Sequence, residues 1–246
     1  MQEVKKTASK VKITLNFITP PDIYYYSKVI DKNCPVCKGT GFVDKGKVVE
    51  ICACRFRQED FQSRLNIPKK FWTAELDNYQ PISPAQQRAY EVCKEFVHNF
   101  NPEEGKGITL VGPTQMGKTH LMVGVLKALY REKRVRGFFF DTKEMLFQLR
   151  FYMNNEEDKY SRFLKFLMNV PVLVLDDLGS ERLSDWSVET ISLIITYRYN
   201  YQLSTLITTN YQLKRSGDDL LNSLEERISP AVVGKIFQMN EVVYLY

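Results

Sequence analysis

The sequence predicts an α/β domain with a mainly parallel five-stranded sheet flanked by helices, preceded by a small cysteine-rich module. Three observations carry this prediction. The short apolar run 108–111 leads into the glycine-rich loop Gly112-Pro113-Thr114-Gln115-Met116-Gly117-Lys118-Thr119, and a helical run, 121–130, follows. A second all-apolar run, 172–175, ends in the paired carboxylates Asp176 and Asp177. Four cysteines in two close pairs stand ahead of both features.

The bulk numbers bound what the chain can be. At 246 residues it has room for one ordinary domain and a small module, and 44% hydrophobic with 26% charged residues is a globular composition. A net charge of +5 permits contact with nucleic acid through a local patch without arguing for it. No apolar run reaches the length of a membrane span. No hydrophobic region follows the charges of Met1-Gln2-Glu3-Val4-Lys5-Lys6, so no signal peptide is read and the expected compartment is the cytoplasm. Five cysteines without a secretion signal point to metal before disulfides.

In chain order, residues 1–33 offer a breaker, Pro20-Pro21, and the run Tyr24-Tyr25-Tyr26, which suits a core, a sticky surface or a stacking platform. Next come Cys34-x-x-Cys37 and, after 14 further residues, Cys52-x-Cys54. A C-x2-C knuckle sets two thiolates on one turn, and Gly39 and Gly41 let the backbone wrap an ion closely. Cys52 and Cys54, two apart, would share one face of an extended strand. Four sulfurs complete a closed structural zinc site, with an iron–sulfur cluster as the alternative, and metal would stabilise a module too small to stand on its core. Cys93 lies in a helical pattern and reads as an ordinary buried thiol.

Residues 55–66 read as a polar helix or linker, which divides the chain into a zinc module with linker at 1–66 and a nucleotide-binding domain at 67–246. Ser83-Pro84-Ala85-Gln86 starts a helix that runs to about Phe100: an N-cap serine, proline at the first helical position and glutamine to close the box. The loop 101–106 delivers the chain to the strand before the glycine-rich loop. Gly137-Phe138-Phe139-Phe140 is a buried strand, and Asp141-Thr142-Lys143-Glu144 caps the helical stretch 145–169. The strand at 172–176 is expected beside the 108–111 strand. Ser204-Thr205-Leu206-Ile207-Thr208-Thr209-Asn210 is a further strand, and the last lies within 235–246.

The G-x-x-x-x-G-K-T spacing is that of a P-loop. Several backbone N–H groups must converge on a polyanion, so the loop curls through conformations that side chains obstruct, and the following helix aims its positive end at the same phosphates. Residues 112–120, from Gly112 and Pro113 through Thr114, Gln115, Met116 and Gly117 to His120, are the expected nucleotide contacts. Lys118 supplies a mobile charge for the β- and γ-phosphate oxygens, and the Thr119 hydroxyl a ligand for Mg²⁺. Asp176 would hold the Mg²⁺, directly or through water, and Asp177 would polarise the attacking water. Asn210 orients that water or touches the γ-phosphate, or else serves only a turn.

Taken together, the cysteine module, Ile67-Pro68, the P-loop, Leu175-Asp176-Asp177-Leu178-Gly179 and Thr208-Thr209-Asn210 resemble the bacterial replicative helicase loaders of the DnaC/DnaI type, AAA+ ATPases related to the IstB transposition helpers. The resemblance implies an ATP- and Mg²⁺-dependent protein that binds a hexameric replicative helicase and single-stranded DNA and places the ring on the strand in initiation or restart. It also implies a sensor role for Asn210 and an arginine finger at Arg227, which would reach ATP on a neighbouring subunit and so couple hydrolysis to self-association. Asp177 stands where many AAA+ proteins carry glutamate, which implies slow hydrolysis. About twenty residues follow Arg227, so no full helical lid is expected. Within 145–169, Lys159, Arg162 and Lys165 recur every third residue with Tyr160, Phe163 and Phe166 interleaved. The stretch suits either a DNA-tracking helix with an exposed aromatic for stacking, or an amphipathic helix with Phe163, Leu164 and Leu167 in the core and its charges solvated. A transposition helper acting on duplex DNA, and an ATP-gated adaptor in which hydrolysis is incidental, are the competing functions. An initiator of the DnaA type is disfavoured, because no helix-turn-helix domain fits after residue 246.

Overall fold

The computed structural model describes residues 33–46, 49–52, 54, 65–180, 184–214 and 223–246. Tyr24-Tyr25-Tyr26 and the polar stretch 55–64 lie outside the described residues.

Two antiparallel strands, β1 (Phe42–Asp44) and β2 (Val49–Ile51), form the small module with the cysteines. The main sheet holds β3 (Gly107–Val111), β4 (Gly137–Asp141), β5 (Val172–Asp176), β6 (Ser204–Thr209) and β7 (Asn240–Tyr244) in the order β4-β5-β6-β3-β7, every pairing parallel. The expected parallel five-stranded sheet is therefore present. One expectation is corrected: β5 does not lie beside β3, because β6 pairs with both and separates them.

Seven α-helices are described: α1 (Pro84–His98), α2 (Lys118–Glu132), α3 (Thr142–Asn155), α4 (Glu157–Asn169), α5 (Asp185–Asn200), α6 (Leu224–Arg227) and α7 (Pro230–Met239). Side chains alternate across the pleat, so Phe138, Phe140, Leu173 and Leu175 enter the core under α3, α4, α5 and α7. Phe139, Val172, Val174, Ile108 and Leu110 enter a second core under α1 and α2. Covering both faces is why these strands read as unbroken apolar runs. The stretch 145–169 divides into two helices at Glu156, whose non-helical backbone (φ −151°, ψ 74°) stops α3 and starts α4. Phe163 and Phe166 are buried beneath α4, so neither is available to stack on a base. Arg162 and Lys165 are exposed, and Lys159 is paired with Glu156 at 2.5 Å.

A strap, residues 65–79, crosses from the sheet edge to the P-loop. Phe139 N–H donates to the Leu65 carbonyl at 2.8 Å and the Asn66 side-chain amide donates to the Phe139 carbonyl, extending the β4 edge. The fully buried Lys127 of α2 donates to the carbonyls of Trp72 and Ala74 and to Glu75, which also receives Arg131. Arg198, also fully buried, donates to Thr205 Oγ1 and to the carbonyls of Leu167, Val170 and Ser204, tying α5 to the amino ends of β5 and β6. No helix among the described residues is long and apolar enough to cross a membrane.

Candidate nucleotide site and four-cysteine cluster

The parallel registers align the carboxyl ends of the strands, where ligands of open α/β sheets sit. Val111 is level with Thr209, and Asp141 with Asp176. The P-loop leaves β3 there and enters α2 through Gly117, which has φ 81°. Glycine is required at this position twice over: for the left-handed backbone, and because a Cβ would stand 2.7 Å from the Tyr79 ring.

The insertion of β6 between β3 and β5 places Asn210 between the other two site residues. Lys118 Nζ donates to the carbonyls of Gly112 and Pro113, both at 2.6 Å, and to Asn210 Oδ1 at 2.8 Å. Asn210 Nδ2 in turn donates to Asp177 Oδ1 at 2.5 Å. The three donors of the ammonium are thus directed by the protein. Burial pushes Lys118 below its ordinary pKa, while Asp177 and Asp176 draw it back up.

Asp176 forms the second centre. Its carboxylate accepts from the Thr119 hydroxyl at 3.0 Å on both oxygens and from the Thr208 hydroxyl at 2.6 Å. The Thr142 hydroxyl holds the Asp176 carbonyl at 2.8 Å, and Asp177 N–H donates to Thr208 Oγ1. Burial raises Asp176 from 3.8 to about 6; the Thr208 and Thr119 hydroxyls oppose the rise, and Asp177 and Asp141 add to it. A hydroxyl and a carboxylate in contact, at a helix start facing a strand end, suit a hard divalent cation of the Mg²⁺ kind. Asp177 has φ 56°, a left-handed backbone that turns the chain sharply out of β5 just after Asp176.

His120 is tied elsewhere. Both partners of its Nε2, the Glu75 carbonyl at 2.8 Å and Asn78 Oδ1 at 3.0 Å, are acceptors, so Nε2 carries the proton and the ring links α2 to the strap. Arg227 is held within its own chain, Nε donating to the Gly179 carbonyl and the guanidinium lying 4.4 Å from the Tyr211 ring centroid. Thr208, Tyr79 and Gln86 went unnoticed in sequence as site residues. For Thr208 no signal stood out, because four of the six residues of β6 carry hydroxyls.

In the small module, Cys34, Cys37, Cys52 and Cys54 are all buried, and their sulfurs lie within 4.8 Å of one another. The knuckle is built by Lys38 N–H donating to the Cys34 carbonyl and Thr40 N–H to the Cys37 carbonyl, with Lys38, Gly39 and Gly41 at positive φ. Cys52 follows β2 directly, but Cys54 has a helical backbone, so the two do not share an extended strand as expected. Cys54 lies 3.5 Å from Cys37 and Cys52 3.7 Å from Cys34. A tetrahedral Zn²⁺ with bonds of about 2.3 Å sets sulfurs roughly 3.8 Å apart. The donor set fits one such ion; the core of a four-iron cluster would spread the sulfurs further. Burial presses the Cys37 thiol upward, but the Gly41 and Gly39 amides together with Cys54 and Cys34 bring it down to about 6, toward the thiolate a metal needs. Cys93 behaves as expected: fully buried, its thiol is pushed up to about 12 by burial, with Glu241 adding to the rise.

Comparison with known proteins agrees with this constellation. The family model described as "IstB-like ATP binding protein" matches residues 60–244. Among curated relatives, YqaM of Bacillus subtilis (strain 168) is 31% identical over 159 residues, covering 61% of this chain and 47% of that protein. The replicative helicase loader DnaI of the same organism is 24% identical over 159 residues, covering 63% of this chain and 50% of that protein. The chain thus spans about half the length of these curated relatives. Among solved structures, the crystal structure of the DnaC helicase loader is 54% identical with a TM-score of 0.66, covering 73% of this chain and 100% of that one.

Proposed function

The chain belongs to the IstB-like ATP-binding family, and from that membership we propose that it is an ATP-switched loader that places a replicative DNA helicase on single-stranded DNA in initiation or restart of replication. The observation that carries this reading is the likeness to the DnaC helicase loader, which runs the full length of that structure.

In this account Lys118 exchanges the Gly112 and Pro113 carbonyls for the β- and γ-phosphates of ATP, and Asn210, released from Lys118, keeps its bond to Asp177. Thr119 and Asp176 hold Mg²⁺, which supplies charge neutralisation at the phosphates. Asp177 draws the proton of the attacking water, and its short side chain makes hydrolysis slow. Arg227 leaves Gly179 and Tyr211 to reach the ATP of a neighbouring subunit, so that assembly gates hydrolysis. Cys34, Cys37, Cys52 and Cys54 hold one Zn²⁺ and stiffen a module that docks the helicase. Arg162 and Lys165 track the DNA strand by charge.

A transposition helper that acts with a transposase on duplex DNA is the second reading, favoured by the description of the matching family. The cysteine cluster, outside residues 60–244, is what sets the loader reading apart from it. A strand-displacement assay with helicase and single-stranded DNA tests the proposal. Loading by the unaltered protein and none by Lys118→Ala is expected; equal loading by both would make the protein an adaptor in which ATP is incidental.

A further inference from the structure

A phosphate-binding loop works only if its N–H groups face inward, so its carbonyls must be satisfied from outside. The carbonyls of Gly112 and Pro113 are the exception, because Lys118, the residue assigned to the phosphates, holds them. The Met116 carbonyl is held differently. The Tyr79 hydroxyl donates to it at 3.2 Å and Gln86 Nε2 at 3.3 Å, from the strap and from the first turn of α1. The backbone is left-handed on either side, at Gln115 (φ 66°) and Gly117 (φ 81°). A trans peptide points its C=O and N–H in opposite directions. Holding the Met116 carbonyl from outside the loop therefore turns the Gly117 N–H into its interior.

Both donors are themselves fixed. Gln86 Oε1 accepts the Ile82 N–H at 2.8 Å, which orients the side-chain amide and leaves Nε2 for Met116. The Tyr79 ring stacks on Tyr90 at 5.9 Å, meets His120 edge-on at 5.3 Å and closes against Gly117. The strap behind it is pinned to α2 through Glu75, Lys127 and Arg131.

We propose that Tyr79 and Gln86 are positioning residues of the P-loop, holding the Met116 carbonyl outward so that the Gly117 N–H meets the phosphates of a bound nucleoside triphosphate. The proposal rests on the reading that this loop binds ATP. Neither residue touches the ligand; both act through Met116.

The test measures Mg²⁺-ATP affinity of the full chain by calorimetry, well below its melting temperature. Tyr79→Phe keeps the ring and loses only the hydroxyl donor; Gln86→Met keeps the volume. Each is expected to weaken ATP binding about threefold and the pair about tenfold, from the typical net worth of a neutral hydrogen bond. Ser83→Ala supplies the contrast. Ser83 caps the same helix through Gln86 N–H and has no bond to Met116, so its loss should lower the melting temperature without changing ATP affinity. Unchanged affinity in the double variant would overturn the proposal, as would an equal loss in Ser83→Ala, which would make the effect one of helix stability. Absence of ATP binding by the unaltered chain would overturn the parent reading and this one with it.

Discussion

Asp176→Asn should make the free protein more stable while removing its Mg²⁺-dependent nucleotide binding. Asp176 is 8% exposed, and its pKa rises from 3.8 to about 6, with burial the largest cause. The unfolded chain therefore ionises near 3.8 and the folded chain near 6. Between these values the folded state holds more protons, so stability falls as pH rises through the window and is flat above it. At about 1.4 kcal/mol per pKa unit, the charged Asp176 costs about 3 kcal/mol at pH 8. Asparagine carries no charge to desolvate, and its Oδ1 still accepts from Thr208. The gap between variant and parent should be about 3 kcal/mol at pH 8, near half that at pH 5 and nearly absent below pH 4. In melting temperature that is roughly 6–12 °C at pH 8 for a chain of this size. Urea titrations at these pH values, with nucleotide and Mg²⁺ omitted, read it out. A variant no more stable than the parent at pH 8, or a gap that ignores pH, would refute the claim that burial dominates at this carboxylate.

Arg198→Met strands the carbonyls of Leu167, Val170 and Ser204 and should cost about 3–5 kcal/mol in denaturant titration; because those carbonyls lie at the amino ends of the strands, the folded fraction should keep its ATP affinity. The unaltered chain should carry one zinc ion by elemental analysis, and Cys34→Ser with Cys52→Ser should abolish it with nucleotide affinity retained. Replacing Arg162 and Lys165 with alanine should weaken single-strand binding and lower its salt slope by about 1.4, near 0.7 for each phosphate no longer neutralised. Lys159→Ala should do less, because Glu156 already holds that ammonium.

The local parts of this protein were legible because their signals are local. The P-loop, the Asp141 and Ser83 caps and the paired cysteines each occupy one short stretch, and each forms as its residues require. The order of the strands was not legible. Runs 108–111 and 172–175 are both buried on two faces, and nothing in either marks its neighbour, so the place of β6 between them leaves no trace in sequence. Consequently the bridge from Lys118 through Asn210 to Asp177 is not legible in the sequence, although each of the three lies in a motif of its own. The break at Glu156 went unread because apolar periodicity continues on both sides of it. Nothing in the sequence links Tyr79 or the capping residue Gln86 to the P-loop, because they meet it at a backbone carbonyl 37 and 30 residues away, which no spacing records. Lys127 did leave a trace: a charged residue among Val125, Leu126, Leu129 and Tyr130, on a helix buried on most sides.

The central claim is that nucleotide binding at Lys118 is transmitted to a helicase. Co-precipitation of the full chain with the replicative helicase of its host, with and without Mg²⁺-ATP, tests it most directly. A complex whose affinity changes severalfold with ATP for the unaltered chain, and not for Lys118→Ala, is the expected result. No complex in either state would contradict the loader account and favour the transposition helper.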